Sequence, residues 1–397
     1  MRLKNRVFLL AILSLLILNS VSFPQETPST APNVTTVPLP QNAVPTDLLG
    51  SIVQLWNILK NYYVDPDKID PEKLKYGALK GLVEALGDPY TRYEDPQEYK
   101  EEQIQLEGKY GGLGIIITKK DDKIVIVSPI EDTPAYKLGL KADDEIVRIE
   151  DEPTQGMSLS KVVKLLRGEP GTKVTIWVRR PGKDKLLKFT ITRAQINLKA
   201  VKSEMLENGI AYIRITYFNQ NTTKELESAL KSLSKKGFKG IILDLRNNPG
   251  GLLNEAVSVA KMFIDKGVIV STKGRYPWHT VVYEADGTAI PYCPMVVLVN
   301  RGSASASEIV AGALQDHKRA KLVGVRTFGK GSVQTVIPFN DGSALHITIA
   351  YYYTPNGRLI HEKGLTPDIV VNQPEDSKKD VQLERAKDIL LEEIKKS

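Results

Sequence analysis

Between about Gln195 and Thr327 the chain alternates two hydrophobic patterns, and this alternation limits its folds more than any other feature. Short apolar runs of strand length (IAYIRI, GIILDLR, GVIVSTK, PMVVLVN, KLVGVRT) are separated by longer segments. Three of these segments, TKELESALKSLSKK, LLNEAVSVAKMFIDK and EIVAGALQDHK, repeat apolar residues every three or four positions and predict helices. Repeated strand–helix–strand units of this kind argue for a largely parallel sheet covered by helical layers. In open sheets of that type, sites gather at the carboxyl ends of strands. Two small-residue loops fall at such ends, residues 247–251 (NNPGG) and 301–307 (RGSASAS).

The rest of the chain divides by composition. Its 397 residues leave room for two or three domains, and 42% apolar with 25% charged residues is ordinary for globular protein. MRLKNR carries three positive charges before the apolar stretch VFLLAILSLLIL, residues 7–18, and small residues follow at Ser20 and Ser22. We read residues 1–22 as a secretory signal cleaved after Ser22, the apolar stretch being short for a bilayer span. The expected location is the periplasm or cell envelope; an uncleaved signal would make it a membrane tether. Loss of Arg2, Lys4 and Arg6 takes the net charge from +7 to +4. That charge, without a basic–aromatic patch, gives no reason to expect nucleic acid. Cys293 is the single cysteine, so no internal disulfide forms.

Six prolines make residues 23–45 an extended linker. Residues 46–107 turn helical and are suited to covering a neighbouring core or pairing with a second copy in a homodimer. Residues 108–194 read as a compact module of strands and one helix, residues 195–375 as the core, and residues 376–397 as a C-terminal helix.

Serines stand at 303, 305 and 307. Ser305 with Glu308 fits a capping box, so a structural role for this serine competes with a nucleophilic one. A histidine base is hard to place. His317 lies 12 residues beyond Ser305 on one predicted helix, roughly 18 Å away. His279, His346 and His361 lie in no segment with site character. There is no HExxH, and one cysteine with scattered histidines argues against zinc. GVRTFGKG, residues 324–331, imitates a phosphate-binding loop but has glycine where Ser or Thr would hold magnesium. We therefore expect no cofactor. The same stretch carries Lys330, which a parallel sheet returns to the sheet end that carries Ser305. A lysine acts as base when burial lowers its pKa from about 10.4, and Ser–Lys pairs are an accepted form of activated nucleophile.

GSASASEIVAGALQD followed by TFGKGSVQ resembles the carboxyl-terminal processing peptidases, tail-specific serine proteases with a PDZ-like domain. DLRNNPGGLL at 244–253, YGGLGI at 110–115 and KGLTPDIVV at 363–371 extend the resemblance over about residues 46–390. It implies an α/β multidomain fold: a crotonase-like, largely parallel sheet core with an inserted PDZ-like domain and an N-terminal helical region. It implies Ser305 as nucleophile, Lys330 as base and Gln334 as the residue orienting that base. Backbone amides of Gly250 or Gly251, with that of Ala306, would hold the oxyanion. Gly112, Leu113, Gly114 and Ile115 would capture the carboxyl end of a substrate tail, with Val162 and Leu166 on the facing helix. The partners implied are protein or peptide substrates with exposed C-terminal tails. Two alternatives stay open at this stage. One is a tail-binding scaffold without chemistry, and the other an acyl-transfer enzyme acting on small molecules.

Overall fold

The computed structural model describes residues 46–396 apart from 121, 131, 375, 376 and 378. The signal and linker expected over residues 1–45 lie outside this range. The chain divides into two compact units, one ending at Asp70 and the other starting at Pro71. In the first, α1 (Thr46–Tyr62) has Asp47 in its first turn and Lys60 in its last, each complementing the helix dipole. Its apolar residues Leu49, Ile52, Val53 and Leu55 are exposed. Among the described residues, no helix is long and apolar enough to cross a membrane.

The second unit opens with α2 (Pro71–Glu84), β1 (Arg92–Glu94) and α3 (Pro96–Glu107). Asp95 caps α3 through the amides of Gln97 and Glu98, both at 3.0 Å, and the Glu98 carboxylate returns to Asp95 N–H. Gly108, at φ +68°, closes the helix.

A smaller module follows: β2 (Lys109–Gly112), β3 (Ile115–Lys120), β4 (Lys123–Pro129), α4 (Pro134–Lys137), β5 (Glu145–Ile149), β6 (Glu152–Pro153), α5 (Leu159–Leu166), β7 (Lys173–Arg179), β8 (Leu187–Thr192) and β9 (Ala194–Asn197). Strands β3, β4, β5, β7 and β8 form an antiparallel sheet in that order. Alternate residues such as Ile124 and Ile126, or Val174, Ile176 and Val178, point into one core. The chain enters and leaves through paired strands β2 and β9. Arg193 fastens that exit by donating to the carbonyls of Leu165 and Leu166, at the end of α5.

The remaining elements are β10 (Val201–Leu206), β11 (Ile210–Ile215), α6 (Thr222–Ser234), β12 (Gly240–Asp244), α7 (Leu253–Lys261), β13 (Val268–Gly274), β14 (Val282–Glu284), β15 (Met295–Val299), α8 (Ala306–Asp316), β16 (Lys321–Gly324), β17 (Ser332–Pro338), β18 (Ala344–Tyr353), β19 (Ile369–Val370) and α9 (Val381–Ile394). The main sheet runs β10-β11-β12-β15-β16-β19, parallel from β11 onward with β10 an antiparallel edge. Both of its faces are covered, so β12 and β15 are buried along their whole length. Ile241, Leu243, Val297 and Val299 pack with α6, α7 and α8; Ile242, Val296 and Leu298 pack with Ala386, Ile389 and Leu390 of α9.

One strand from the alternating region does not join this sheet. The run GVIVSTK becomes β13, which pairs with β14 and β18 in a second, antiparallel sheet that also holds β1 and β17. The reason is topological. Only a single 3-10 turn at Pro277–His279 lies between β13 and β15, with no α-helix to make the crossover that adjacent parallel strands require.

Candidate active site

The apolar strand β15 ends at Val299, and the chain turns sharply before α8. At that turn Ser305 has φ +52° and ψ −115°, a conformation that costs a non-glycine residue free energy. Ser303 and Ser307 are buried and spend their hydroxyls on structure. Ser303 donates to the Leu245 carbonyl at 2.8 Å and Ser307 to that of Asn248 at 2.9 Å. With the Asn300–Asn247 amide pair at 2.9 Å, these bonds zip the two loops together at the carboxyl ends of β12 and β15. Gly250 sits so close to Ser305 that a Cβ placed on it would lie 2.8 Å from the serine Cβ.

Ser305 and Glu308 have the capping-box arrangement, but only one of its bonds is well formed. Ser305 N–H donates to the Glu308 carboxylate at 3.0 Å, whereas the Ser305 hydroxyl makes no capping bond to the helix. Glu308 is fully buried and also accepts from the Thr327 hydroxyl at 2.5 Å, Gly329 N–H at 2.8 Å and Lys330 N–H at 2.9 Å. Burial pushes its carboxyl pKa up, and these donors oppose the rise. One oxygen, Oε2, takes the amides of both Ser305 and Lys330, so the two main-chain nitrogens lie less than about 6 Å apart.

Lys330 is half-buried, in the loop between β16 and β17. Burial, then the charge of Arg92, lowers its pKa below the ordinary lysine value; Glu102 and Asp88 act in the opposite direction. Its Nζ stands 5.2 Å from the centre of the Tyr90 ring. Gln334, in β17, donates from Nε2 to the Thr348 hydroxyl at 3.1 Å. Of the glycines, Gly250 has its N–H bonded to Asn248 Oδ1 at 2.9 Å. The bridge between Phe218 and Gly251 uses Phe218 N–H with the Gly250 carbonyl and Leu252 N–H with the Phe218 carbonyl. It leaves Gly251 N–H outside the ladder. Ala306 N–H is the first amide of α8, with no partner within the helix. Gly250 N–H is thus already engaged by Asn248, whereas those of Gly251 and Ala306 lie outside the ladder and the helix bonds.

The histidines have other surroundings. His317 Nε2 donates to the Val268 carbonyl at 2.7 Å. His346 is buried beside Glu94 at 3.1 Å and Glu102 at 3.0 Å, and Arg92 binds the other oxygens of the same two carboxylates. Among the described residues these two glutamates and His346 are the group whose ligand atoms lie within 4.8 Å. Arg92 and a protonated His346 already balance both negative charges. Asp316 pairs with Arg358 and accepts from Asn356 N–H, a structural role.

A family model for peptidase family S41 matches residues 209–371. A carboxy-terminal-processing protease of Bartonella bacilliformis is 46% identical over 310 residues, 77% of this chain and 71% of that protein. The chain belongs to the S41 carboxy-terminal processing proteases. It is therefore a serine-type peptidase. The carboxy-terminal processing protease CtpA of Bacillus subtilis is 40% identical over 321 residues, 81% of this chain and 68% of the relative. A PDZ domain model matches residues 125–180 of this S41 peptidase, and a model for the N-terminal domain of the activating protease CtpB matches residues 25–98. A solved Bacteroides fragilis structure assigned to the S41 proteases covers 85% of this chain and 97% of its own, with a TM-score of 0.51 at 16% identity, which shows shared fold.

The PDZ module of this S41 peptidase carries a groove lined by Tyr110, Gly112, Leu113, Gly114, Val163, Leu166 and Arg167, among others. Gly114 must be glycine: at φ +79° a Cβ would meet Thr133 atoms at 2.2–2.4 Å. Val162 does not reach this groove. Val162 is completely buried in the module core, and Val163, turned about 100° around the helix, faces the groove. Missing from the sequence-based set altogether are Asp88, Tyr90, Arg92 and Glu102. GDPYTRYEDP reads from sequence only as turn chemistry before a capped helix. Only the fold brings it against β18 and Lys330.

Proposed function

We propose that this chain is an exported serine endopeptidase that works through a Ser305–Lys330 dyad and cleaves proteins whose exposed C-terminal tails enter the PDZ groove. Glu308 supports the reading most, because a single buried carboxylate oxygen receives the amides of both residues and holds their main chains close together. Lys330 in its neutral form takes the Ser305 hydroxyl proton as the oxygen attacks the scissile carbonyl. Gly251 and Ala306 N–H groups receive the oxyanion, each such donor being worth about 3 kcal/mol. Lys330 then returns the proton to the leaving amine, an acyl-enzyme remains on Ser305, and Lys330 activates the water that releases it. Gln334 orients the lysine. No step needs a metal or cofactor.

The substrate tail would add a strand beside β3 and place its carboxylate at the loop amides around Leu113 and Gly114. We read the six-stranded sheet with its helical layers as the crotonase-like core. The N-terminal segment would direct export and, if retained, tether the enzyme to the membrane. A second copy would cover the exposed apolar residues of α1 in a homodimer. The test is turnover of an unfolded protein with a free tail, against the same protein with its tail blocked. Rapid cleavage of the first alone supports the reading. Tight binding of the tail without any turnover would instead make the chain a scaffold.

A further inference from the structure

We infer that Asp88 is a positioning residue of the reaction: through Thr348 it decides which end of the Gln334 side-chain amide faces Lys330. The inference rests on the Ser305–Lys330 reading and adds a part to it. Asp88 lies in the turn between α2 and β1. Its Oδ1 accepts Tyr90 N–H at 3.0 Å, and its Oδ2 accepts the hydroxyls of Thr91 and Thr348, each at 2.6 Å. Burial works to raise this carboxyl, but the three donors, together with nearby His361, outweigh it and hold Asp88 below its ordinary pKa. At neutral pH it is an ionised group that only accepts.

The direction of the next bond follows by elimination. Thr348 has one hydroxyl proton, and that proton is given to Asp88. Toward Gln334, at 3.1 Å, the Thr348 oxygen can then only accept. The nitrogen end of the amide must face Thr348, which turns the carbonyl Oε1 to the other side. The backbone fixes this meeting. Gln334 and Thr348 are direct partners in the β17–β18 ladder, beside the bulge between Val333 and Gln334. Thr348 N–H bonds the Thr91 hydroxyl at 3.1 Å, so the Asp88 segment is held against the same strand.

A carbonyl facing Lys330 accepts a hydrogen bond from an N–H of its amine and leaves the nitrogen lone pair for Ser305. An NH₂ group in that place would compete for the lone pair and repel the protonated form. Without the Asp88 acceptor the Thr348 proton is released, and the Gln334 amide can turn over. The other groups around the lysine are Arg92, Glu102, the Tyr90 ring and Glu308 at its main-chain N–H. None of these bonds to the Gln334 amide.

The test uses the full mature chain and two readouts, steady-state turnover of a tail-bearing peptide and pH-dependent labelling of Ser305 by a fluorophosphonate. Thr348→Val keeps side-chain shape and removes the relay. It should lower kcat about tenfold or more with KM within about twofold, while Thr348→Ser restores nearly wild-type kcat. Asp88→Asn should lower kcat likewise and move the acid limb of labelling to lower pH, because one negative neighbour of Lys330 is gone. Thermal unfolding identifies variants that fail to fold, and the Thr348 pair decides if Asp88→Asn is one. Wild-type kcat and pH profile in Thr348→Val, or equal loss in Thr348→Ser, would overturn the inference. Failure of the dyad is separable: it would appear as turnover by Ser305→Ala or an unchanged pH profile in Lys330→Ala, and would remove this inference with it.

Discussion

At the scale of single residues, Ser305 is held in a backbone conformation suited to glycine, because both flanking segments are fixed by buried hydroxyl bonds from Ser303 and Ser307. Such strain costs of order 1 kcal/mol or more. Ser305→Gly should therefore raise the unfolding free energy by about 1 kcal/mol while abolishing turnover, and a lower urea midpoint would contradict the strain argument. Glu308 has four donors and no exposure. Glu308→Ala strands those donors and should cost about 3 kcal/mol, read by urea denaturation. The lowered pKa of Lys330 gives a signed expectation as well. Activity should rise with pH through a midpoint below the ordinary 10.5, and a rise centred at or above 10.5 would show a solvated lysine. Ser305, Lys330 and Gln334 were legible as candidates because the motifs that carry them, GSASASEIVAGALQD and TFGKGSVQ, resemble those of the carboxyl-terminal processing peptidases. Asp88 and Thr348 were not, since neither type nor spacing marks a residue that acts through one hydrogen bond from another element.

At the scale of elements, the parallel strands and their helices could be read directly from the period of apolar residues, and α8 starts where the Ser305–Glu308 spacing indicates. Short or shared elements escaped. The three-residue strand β1 has no alternation of its own and exists because Arg92, Tyr93 and Glu94 pair with His346, Leu345 and Ala344 of β18. Helix phase on α5 also needed the fold, as Val162 and Val163 are chemically alike. Val163→Asp should weaken binding of a tail peptide and leave the module folded, whereas Val162→Asp should unfold it; isothermal titration and circular dichroism separate the two. The β1–β18 junction titrates. Burial lowers the pKa of His346, but its bonds to Glu102 and Glu94 outweigh this and raise it above 6.5. The ion pairs therefore contribute fully below about pH 6.5 and fade as pH climbs through the raised folded value. The stability gap between wild type and His346→Gln should be wider at pH 6 than at pH 9, and a gap independent of pH would refute the charged pair.

At the scale of the whole molecule, the second unit builds its site from three directions: the loops at the ends of β12 and β15, the loop before β17, and the turn after α2. The first two belong to a layered α/β core whose outline the sequence already carries. The third comes from a segment more than 200 residues earlier than Ser305, and no local pattern announces that meeting. Arg246 binds Asp244 at the end of β12 and Asp380 at the start of α9, which ties the last helix to the same end of the sheet. The central claim is that Ser305 and Lys330 together perform the cleavage. The most direct measurement compares turnover of a tail-bearing unfolded protein by wild type, Ser305→Ala and Lys330→Ala, with tail binding and unfolding followed in parallel. Both variants should lose turnover by at least about a thousandfold with binding and folding retained. Wild-type cleavage by Ser305→Ala would contradict the claim and return the serine to the role of a helix cap.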